Sequence, residues 1–561
     1  MFAAVGLALF TSVMSFSMTF VALGAIADDF DISLGTVSWV VIAQSLVISA
    51  LMMPMGRLGD IIGRKRIHLL GLVFFASGAA LTALAPTFGI LMISRVITSI
   101  GNAMGQSVGT AIVISAFPST ERGKAIGSQT TAVAIGGASG PIFGGFVLQF
   151  LPWEAMFIIL LIPVAIAFFA ALFFLKSDSQ AETPDSVRSP FDGVGAFISA
   201  AAVVLLVVAI NNPFGFQWIS TEMMIALGFF LLLMTIFVIW ELRIEVPMFQ
   251  LRLFSSSNFS LAVLTRLLGF GGATAVRFIV PVFLISLLQL NEAVAGAILV
   301  LTSLGMAVGA QISGRMSDKF GPRPFAISGF SLAFLTTLAM VFVGRDTSLV
   351  LLGFILLFNG LSMGLWNVTN NAVIIGSVSD SELGVIGAFT NLTRNLGNVT
   401  GQALAASVVA GVMLSSGFDV PLNQIGNDLA AGDSFLTGTR IAYLLVSGIT
   451  FVSLVLSIFT KSSVSRVDTA SYISRTNNMS VPATDELKLL SQRRPARIMA
   501  ERPPSSHSQT NDADKLTDRD LPPKTQAASS PVVQLFVIIV SVVLGTLALI
   551  KLFQTDDQQV D

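Results

Sequence analysis

Fourteen apolar runs, each long enough to cross a bilayer, restrict this chain to an architecture of membrane-spanning helices. A hydrocarbon core about 30 Å thick needs roughly 20 apolar residues per helix. It holds no water to satisfy backbone N–H and C=O groups, so each run must close its hydrogen bonds within itself. The runs are 2–26, 36–55, 67–86, 88–116, 124–150 and 153–175, then 193–211 and 217–240, then 259–288, 293–314, 324–343, 348–377, 384–414 and 438–460. A polar linker at 176–190, KSDSQAETPDSVRSP, and a connector from Glu241 to Asn258 divide them as six, two and six. The first run lacks a basic leader and is too long for a signal core, so it reads as a span.

Lys and Arg favour the cytoplasmic loops of membrane proteins. With the N-terminus inside, Arg57, Arg64, Lys65, Arg66, Arg122, Lys124, Lys176, Arg188, Arg243, Arg252, Arg315, Lys319 and Arg323 share one side, against Arg345 and Arg440 on the other. The expectation is a multi-pass protein of the cell membrane in contact with lipid. After Lys461 the chain turns rich in Ser, Pro and charge up to Pro531, too polar to bury a core, and is expected to be a disordered cytoplasmic tail. Its RRPAR at 493–497 is either a solvated basic patch or a contact for anionic lipid. The uncharged run 532–550 is long enough for a fifteenth helix, which would place the C-terminus outside. The expected divisions are 1–175, a six-helix half; 176–258, linker and two inserted helices; 259–460, a second six-helix half; 461–531, tail; and 532–553, the extra helix.

Composition excludes several classes of function. With 54% hydrophobic and 11% charged residues the chain cannot cover itself for water, and its net charge of −1 gives nucleic acid no basic face. No cysteine and two histidines, His68 and His507, leave no thiolate chemistry and no His-cluster metal site. Neither an ATP-binding loop nor a Ser/His/Asp set is present, so neither a cofactor nor an enzymatic activity is expected.

An internal repeat is the most specific signal. GRLGDIIGRKR (56–66) and GRMSDKFGPRP (314–324) match at an offset of 258 positions, pairing Gly56 with Gly314, Asp60 with Asp318 and Gly63 with Gly321. Both copies fall between the second and third helices of a six-helix group. The glycines allow a tight turn, while each Asp can meet an Arg, such as Arg64, or a helix N-terminus. Paired repeats mark transporter halves that rock about a central site.

On these residues the chain resembles the major facilitator superfamily, and within it the fourteen-helix drug/proton antiporter group, over roughly residues 1–460. GGASGPIFGG (136–145) in the fifth run fits that group's motif at Gly136, Gly140, Pro141, Gly144 and Gly145, which favours export. The same small residues also suit a tight helix-packing seam with no bearing on direction. The resemblance implies an all-α polytopic fold of two six-helix halves, a small-molecule solute, alternating access, and a proton or other coupling ion. RVITSIGNA (95–103) keeps Arg95, which corresponds to the family's proposed proton-transfer arginine, but has Thr98 and Ser99 where Gln-Gly is usual. Ser15 stands where the first helix usually carries an Asp, and no acidic residue falls mid-span. Proton coupling is therefore less supported than membership of the family.

Two arginines in 259–288 complete the site expectations. Arg266, about 10 Å from the inner end of its run, is near enough to snorkel to the headgroups. Arg277, about 27 Å along, is too deep and is assigned to the interior. Polar residues at helical spacing suggest neighbours: Asn391, Arg394, Asn395, Asn398 and Gln402 on one run, and Trp366, Asn367, Asn370 and Asn371 on another. These predict a solute site of Arg277, Trp366, Asn367, Asn370, Asn391, Arg394 and Asn398, with Arg95 for coupling. The leading functional expectation is an exporter of small amphipathic or drug-like compounds. The alternatives are a transport-inactive receptor or scaffold, or an organic-anion transporter without proton antiport.

Overall fold

Helices account for every long element of the computed structural model, which describes residues 2–32, 34–118, 121–175, 191–212, 220–378, 383–418, 425–426 and 428–460. The expected linker at 176–190, the tail and the fifteenth run lie outside the described residues. Among the described residues fourteen helices are long and apolar enough to span a membrane. They are α1 (Phe2–Asp29), α2 (Leu34–Ile62), α3 (Arg64–Ala83), α4 (Phe88–Ser115), α5 (Arg122–Leu148), α6 (Glu154–Phe174), α7 (Gly193–Asn211), α8 (Thr221–Arg243), α9 (Ser257–Val282), α10 (Glu292–Phe320), α11 (Pro322–Met340), α12 (Leu349–Ile375), α13 (Leu383–Ser415) and α14 (Leu429–Phe459).

Short polar residues start several of them by accepting orphan N–H groups. Asp192 accepts from Gly195 N–H at 2.9 Å to open α7, and Asp428 from Ala430 N–H at 2.8 Å to open α14. Several helices outrun their apolar stretches. α2 continues through Arg57 and Asp60, and α10 through Arg315, Asp318 and Lys319, so the repeated motif is mostly helical and not a loop. Only Gly63 separates α2 from α3, and only Gly321 separates α10 from α11. Their φ angles of 113° and 82° fall where a side chain is disfavoured, which explains glycine at both turns.

The packing partners repeat with a shift of eight helices. α3 packs on α4, α2 on α4, α1 on α5 and on α6, and α3 on α6; likewise α11 packs on α12, α10 on α12, α9 on α13 and on α14, and α11 on α14. The two sets of six meet through α5 against α10, α2 against α13, α4 against α13 and α5 against α12. The pair α7 and α8 covers the flank where α2 meets α13. There Val203, Val207, Phe237 and Val238 share one buried cluster with Met52, Phe249, Phe254, Phe259 and Ile386. In α9 the ring of Pro281 removes the N–H that would bond the carbonyl of Arg277. Just beyond, residues Phe283–Leu287 widen into a π turn, closed by Leu288 N–H donating to Phe283 O at 3.0 Å.

Candidate solute site

Each repeated aspartate crosses from its own set to the other. Asp60, near the end of α2, accepts from Arg64 Nε at 3.0 Å and from Val385 N–H at 3.0 Å, in the first turn of α13. Asp318, near the end of α10, accepts from Gly123 N–H at 2.9 Å and Lys124 N–H at 3.0 Å, in the first turn of α5. A carboxylate at a helix N-terminus meets unpaired donors and the positive end of the helix dipole together. Space allows this approach only because the facing residues are small. A Cβ on Gly56 would stand 2.6 Å from Ala388 Cβ, and one on Gly314 would stand 2.8 Å from Gly123 O. Further along the same seam, Gln311 Nε2 of α10 donates to Thr131 Oγ1 of α5 at 2.9 Å. Ala111, Ile114 and Ile126 pack with Ala310, Val368 and Leu383 across the join. The Lys/Arg-rich end of the bundle is thus clasped twice and plugged with apolar side chains.

The Gly-rich stretch of α5 faces its own set. Hypothetical Cβ atoms on Gly136, Gly140 and Gly144 would reach Phe10 O at 2.6 Å, Met14 O at 2.8 Å and Met18 Cγ at 2.9 Å, all in α1. Gly145 has open space, and Pro141 is exposed. The stretch forms the seam between α1 and α5.

Within the first set, Arg95 of α4 is 1% exposed. Its Nη2 donates to Thr19 Oγ1 at 2.8 Å and Gln44 Oε1 at 2.5 Å, and its guanidinium carbon lies 5.2 Å from the centre of the Phe157 ring. One side chain therefore ties α4 to α1, α2 and α6, while its Nε and Nη1 find no acceptor among the described residues. Thr98 and Ser99 turn their hydroxyls back onto Ser94 O and Arg95 O. Sequence reasoning counted His68 only against metal sites and so missed its surroundings. It is buried with neither ring nitrogen hydrogen-bonded, beside a cavity of about 20 Å³ also lined by Ser12, Asn102 and Gln106. Ser12 and Asn102 bond to each other there. The cavity has room for about one water.

The second set separates the two arginines of α9 in a way opposite to the snorkelling expectation. Arg266 is 3% exposed and does not reach the surface. Its Nε donates to Thr390 O at 2.9 Å and its Nη1 to Asn367 Oδ1 at 3.1 Å, and it stacks 5.0 Å from the Phe270 ring centre. Strong acceptors nearby hold the guanidinium more effectively than the distant headgroups. Arg277, three turns on, is exposed although it lies mid-helix. Its Nη2 contacts the sulfurs of Met306 and Met363, both buried in α10 and α12, so its exposure is to space inside the bundle.

The remaining residues divide by burial. Trp366 is sealed between Phe270 and Phe330, Asn367 is bound to Arg266, and Asn370 Nδ2 donates to Ala262 O at 2.8 Å and Thr265 Oγ1 at 2.9 Å. These three act as links from α12 to α9 and α11, a correction to the expectation that they line a cavity. Polar stripes mark helix–helix bonds as readily as a solute wall. The stripe on α13 faces the first set and α9. Asn391 Nδ2 donates to Gln106 O at 3.0 Å, half-buried Arg394 donates to Gln106 Oε1 at 2.9 Å, and Asn398 Oδ1 accepts from Thr274 at 2.6 Å. Arg277, Arg394, Asn395, Asn398 and Gln402 keep accessible surface.

Comparisons with known proteins agree with this architecture. The chain is 30% identical over 453 residues to the riboflavin transporter RibZ of Clostridioides difficile, covering 80% of this chain and 94% of that protein. It is 28% identical to the multidrug efflux pump LfrA of Mycolicibacterium smegmatis, over 71% of this chain and 78% of the pump. It is 27% identical to the multidrug resistance protein Stp of Mycobacterium tuberculosis, over 72% and 75%. The human organic anion transporter MFSD10 (TETRAN) shares the fold with a TM-score of 0.56 at 18% identity, over 81% of this chain and 98% of that one. The Major Facilitator Superfamily model aligns twice, over residues 5–402 and 262–559, starting once in α1 and once in α9, the opening helices of the two sets. With two matched sets of six helices, an added pair, and a family model that fits from either set, this multi-pass membrane protein belongs to the Major Facilitator Superfamily, a family of transporters and not of enzymes.

Proposed function

We propose that this protein is a secondary active exporter of small amphipathic, drug-like compounds in the cell membrane, with its N-terminus and basic loops in the cytoplasm. The two sets of six helices rock about an interior site lined by Arg277, Arg394 and Asn398. The reciprocal aspartate clasps carry this reading, because a permanent scaffold gains nothing from two polar, two-fold related closures at one end. The clasped end faces the cytoplasm by the positive-inside rule, so the arrangement is closed on that side. Opening inward requires Asp60 and Asp318 to leave the helix ends they cap. The names of LfrA and Stp, and the Gly-rich stretch, support export of drug-like molecules. The name of RibZ supports a planar organic solute.

Arg95 is the coupling residue of this proposal. Two guanidinium nitrogens with no acceptor among the described residues, in a dry interior, favour any arrangement that brings an acceptor to them. A proton or a water accompanying the solute can change that arrangement, and with it how α4 is held to α1 and α2. The test is flux of anionic, neutral and cationic dyes from proteoliposomes, with and without a pH gradient. The expected result is flux that Asp60→Asn strongly reduces, with the gradient dependence reporting coupling. Absence of flux for every dye under every driving force would overturn the transport reading.

A further inference from the structure

We propose that the interior site binds an anionic group of the solute, a carboxylate, sulfonate or phosphate, between the guanidinium groups of Arg277 and Arg394. This rests on the transport reading above and supplies the charge class of the cargo. The described helices carry four interior guanidiniums, Arg95, Arg266, Arg277 and Arg394, yet every Asp or Glu in them stands within two turns of a helix end. Arg266 has a carbonyl, an amide and an aromatic face, and Arg95 a hydroxyl, an amide and an aromatic face. The other two are far less satisfied. Among the described residues Arg394 spends one N–H on Gln106, and Arg277 meets only thioether sulfurs, which are weak neutral acceptors.

The cost of leaving them so depends on the conformational state. While the interior is open, water solvates Arg277. When the solute is enclosed that water is expelled, and an unpaired cation in a low-dielectric site is penalised heavily. The penalty is increased because Arg394 lies within electrostatic reach of both Arg277 and Arg266, like charge against like. An anion on the solute removes it; a neutral solute leaves it, and a cation deepens it.

The geometry fits one such group. The bond from Thr274 to Asn398 holds α9 and α13 in register. Arg277 comes three residues after Thr274 and Arg394 four residues before Asn398, so their backbones bracket that bond about 10 Å apart along the axes. Across that bond the two guanidinium groups lie within electrostatic reach of each other. Met306 and Met363, already against Arg277, offer polarizable apolar surface to the body of the molecule. The cargo is therefore an amphipathic organic anion.

The probe pair is naphthalene-1-sulfonate and the nearly isosteric, neutral naphthalene-1-sulfonamide, titrated calorimetrically into the purified full-length protein in nanodiscs. The wild type should bind the sulfonate at least about tenfold more tightly, the scale of one charge-assisted hydrogen bond. Arg277→Gln and Arg394→Gln should each remove most of that preference by weakening sulfonate binding more than sulfonamide binding, and Arg277→Lys should retain part of it. Equal binding of the two probes by the wild type, no sulfonate binding at all, or folded Gln variants with undiminished preference would each overturn the proposal. The wild-type comparison decides even if a variant fails to fold. Flux separates the two readings. A wild type that carries the sulfonamide and ignores the sulfonate refutes the anion site and leaves transport standing. Arg-dependent sulfonate binding without flux of any solute does the reverse.

Discussion

At Asp60 a single carboxylate does three things: it pairs with Arg64, caps α13 and joins the two helix sets. Asp60→Asn keeps an acceptor but loses the charge that strengthens both bonds, a loss of about 2 kcal/mol. That shifts the balance between clasped and open forms roughly thirtyfold. The expected outcome is normal membrane insertion with strongly reduced flux, together with increased labelling of a cysteine placed at Ala388. Unchanged flux and unchanged labelling would remove the clasp from the mechanism. Arg266 gives a second prediction, opposite to that for a snorkelling residue. Arg266→Ala deletes two hydrogen bonds to buried acceptors, so it should lower the melting temperature in detergent by several degrees. Arg266→Lys, which lacks the planar fork, should recover little of that stability. That Arg266 stays inside was not legible from its position in the run, which allowed snorkelling, and neither were its partners, because Thr390 and Asn367 lie more than a hundred residues away. Arg277 was the reverse case: its interior placement followed from depth alone.

Element by element, helix existence was readable because apolar length in a bilayer admits one backbone solution. Helix ends were less so. Hydropathy stops at the first charge, whereas α2 and α10 carry Asp60 and Asp318 inside their last turns, and α14 begins at Leu429, nine residues before its apolar run. What the Gly-rich stretch of α5 packs against was also beyond the sequence, since small residues at four-residue spacing suit a seam and a moving hinge equally. The structure makes a distinction that mutagenesis can measure. Ala is favoured over Gly in a helix by about 1 kcal/mol when nothing is in the way. At Gly145 nothing lies within 4 Å, so Gly145→Ala should be neutral or slightly stabilising. At Gly140 the new methyl would stand 2.8 Å from Met14 O, so Gly140→Ala must push α1 away and cost about 1–3 kcal/mol. Thermal melts of the two variants decide; equal melting temperatures would mean that the α1–α5 seam is looser than described.

For the molecule as a whole, the proposed function depends on the two sets separating at one end, and the absence of native cysteine allows a direct test of that motion. Thr131 and Gln311 touch across the α5–α10 seam with a 2.9 Å hydrogen bond, in a region where Gly127 already approaches Gly314 too closely for a side chain. Cysteines at both positions, joined by a short reducible crosslinker, would hold that seam shut while leaving the arginines of the interior site untouched. Alternating access then predicts two results from one sample. Flux should fall to background when the link forms and return when it is reduced, since the solute can no longer leave or enter through the clasped end. Binding of solute from the unlinked side should persist in the linked protein, because Arg277 and Arg394 keep accessible surface. Continued flux through a fully linked protein would mean that the seam does not open during transport, and the rocking of two six-helix sets would have to be replaced by movement within one of them.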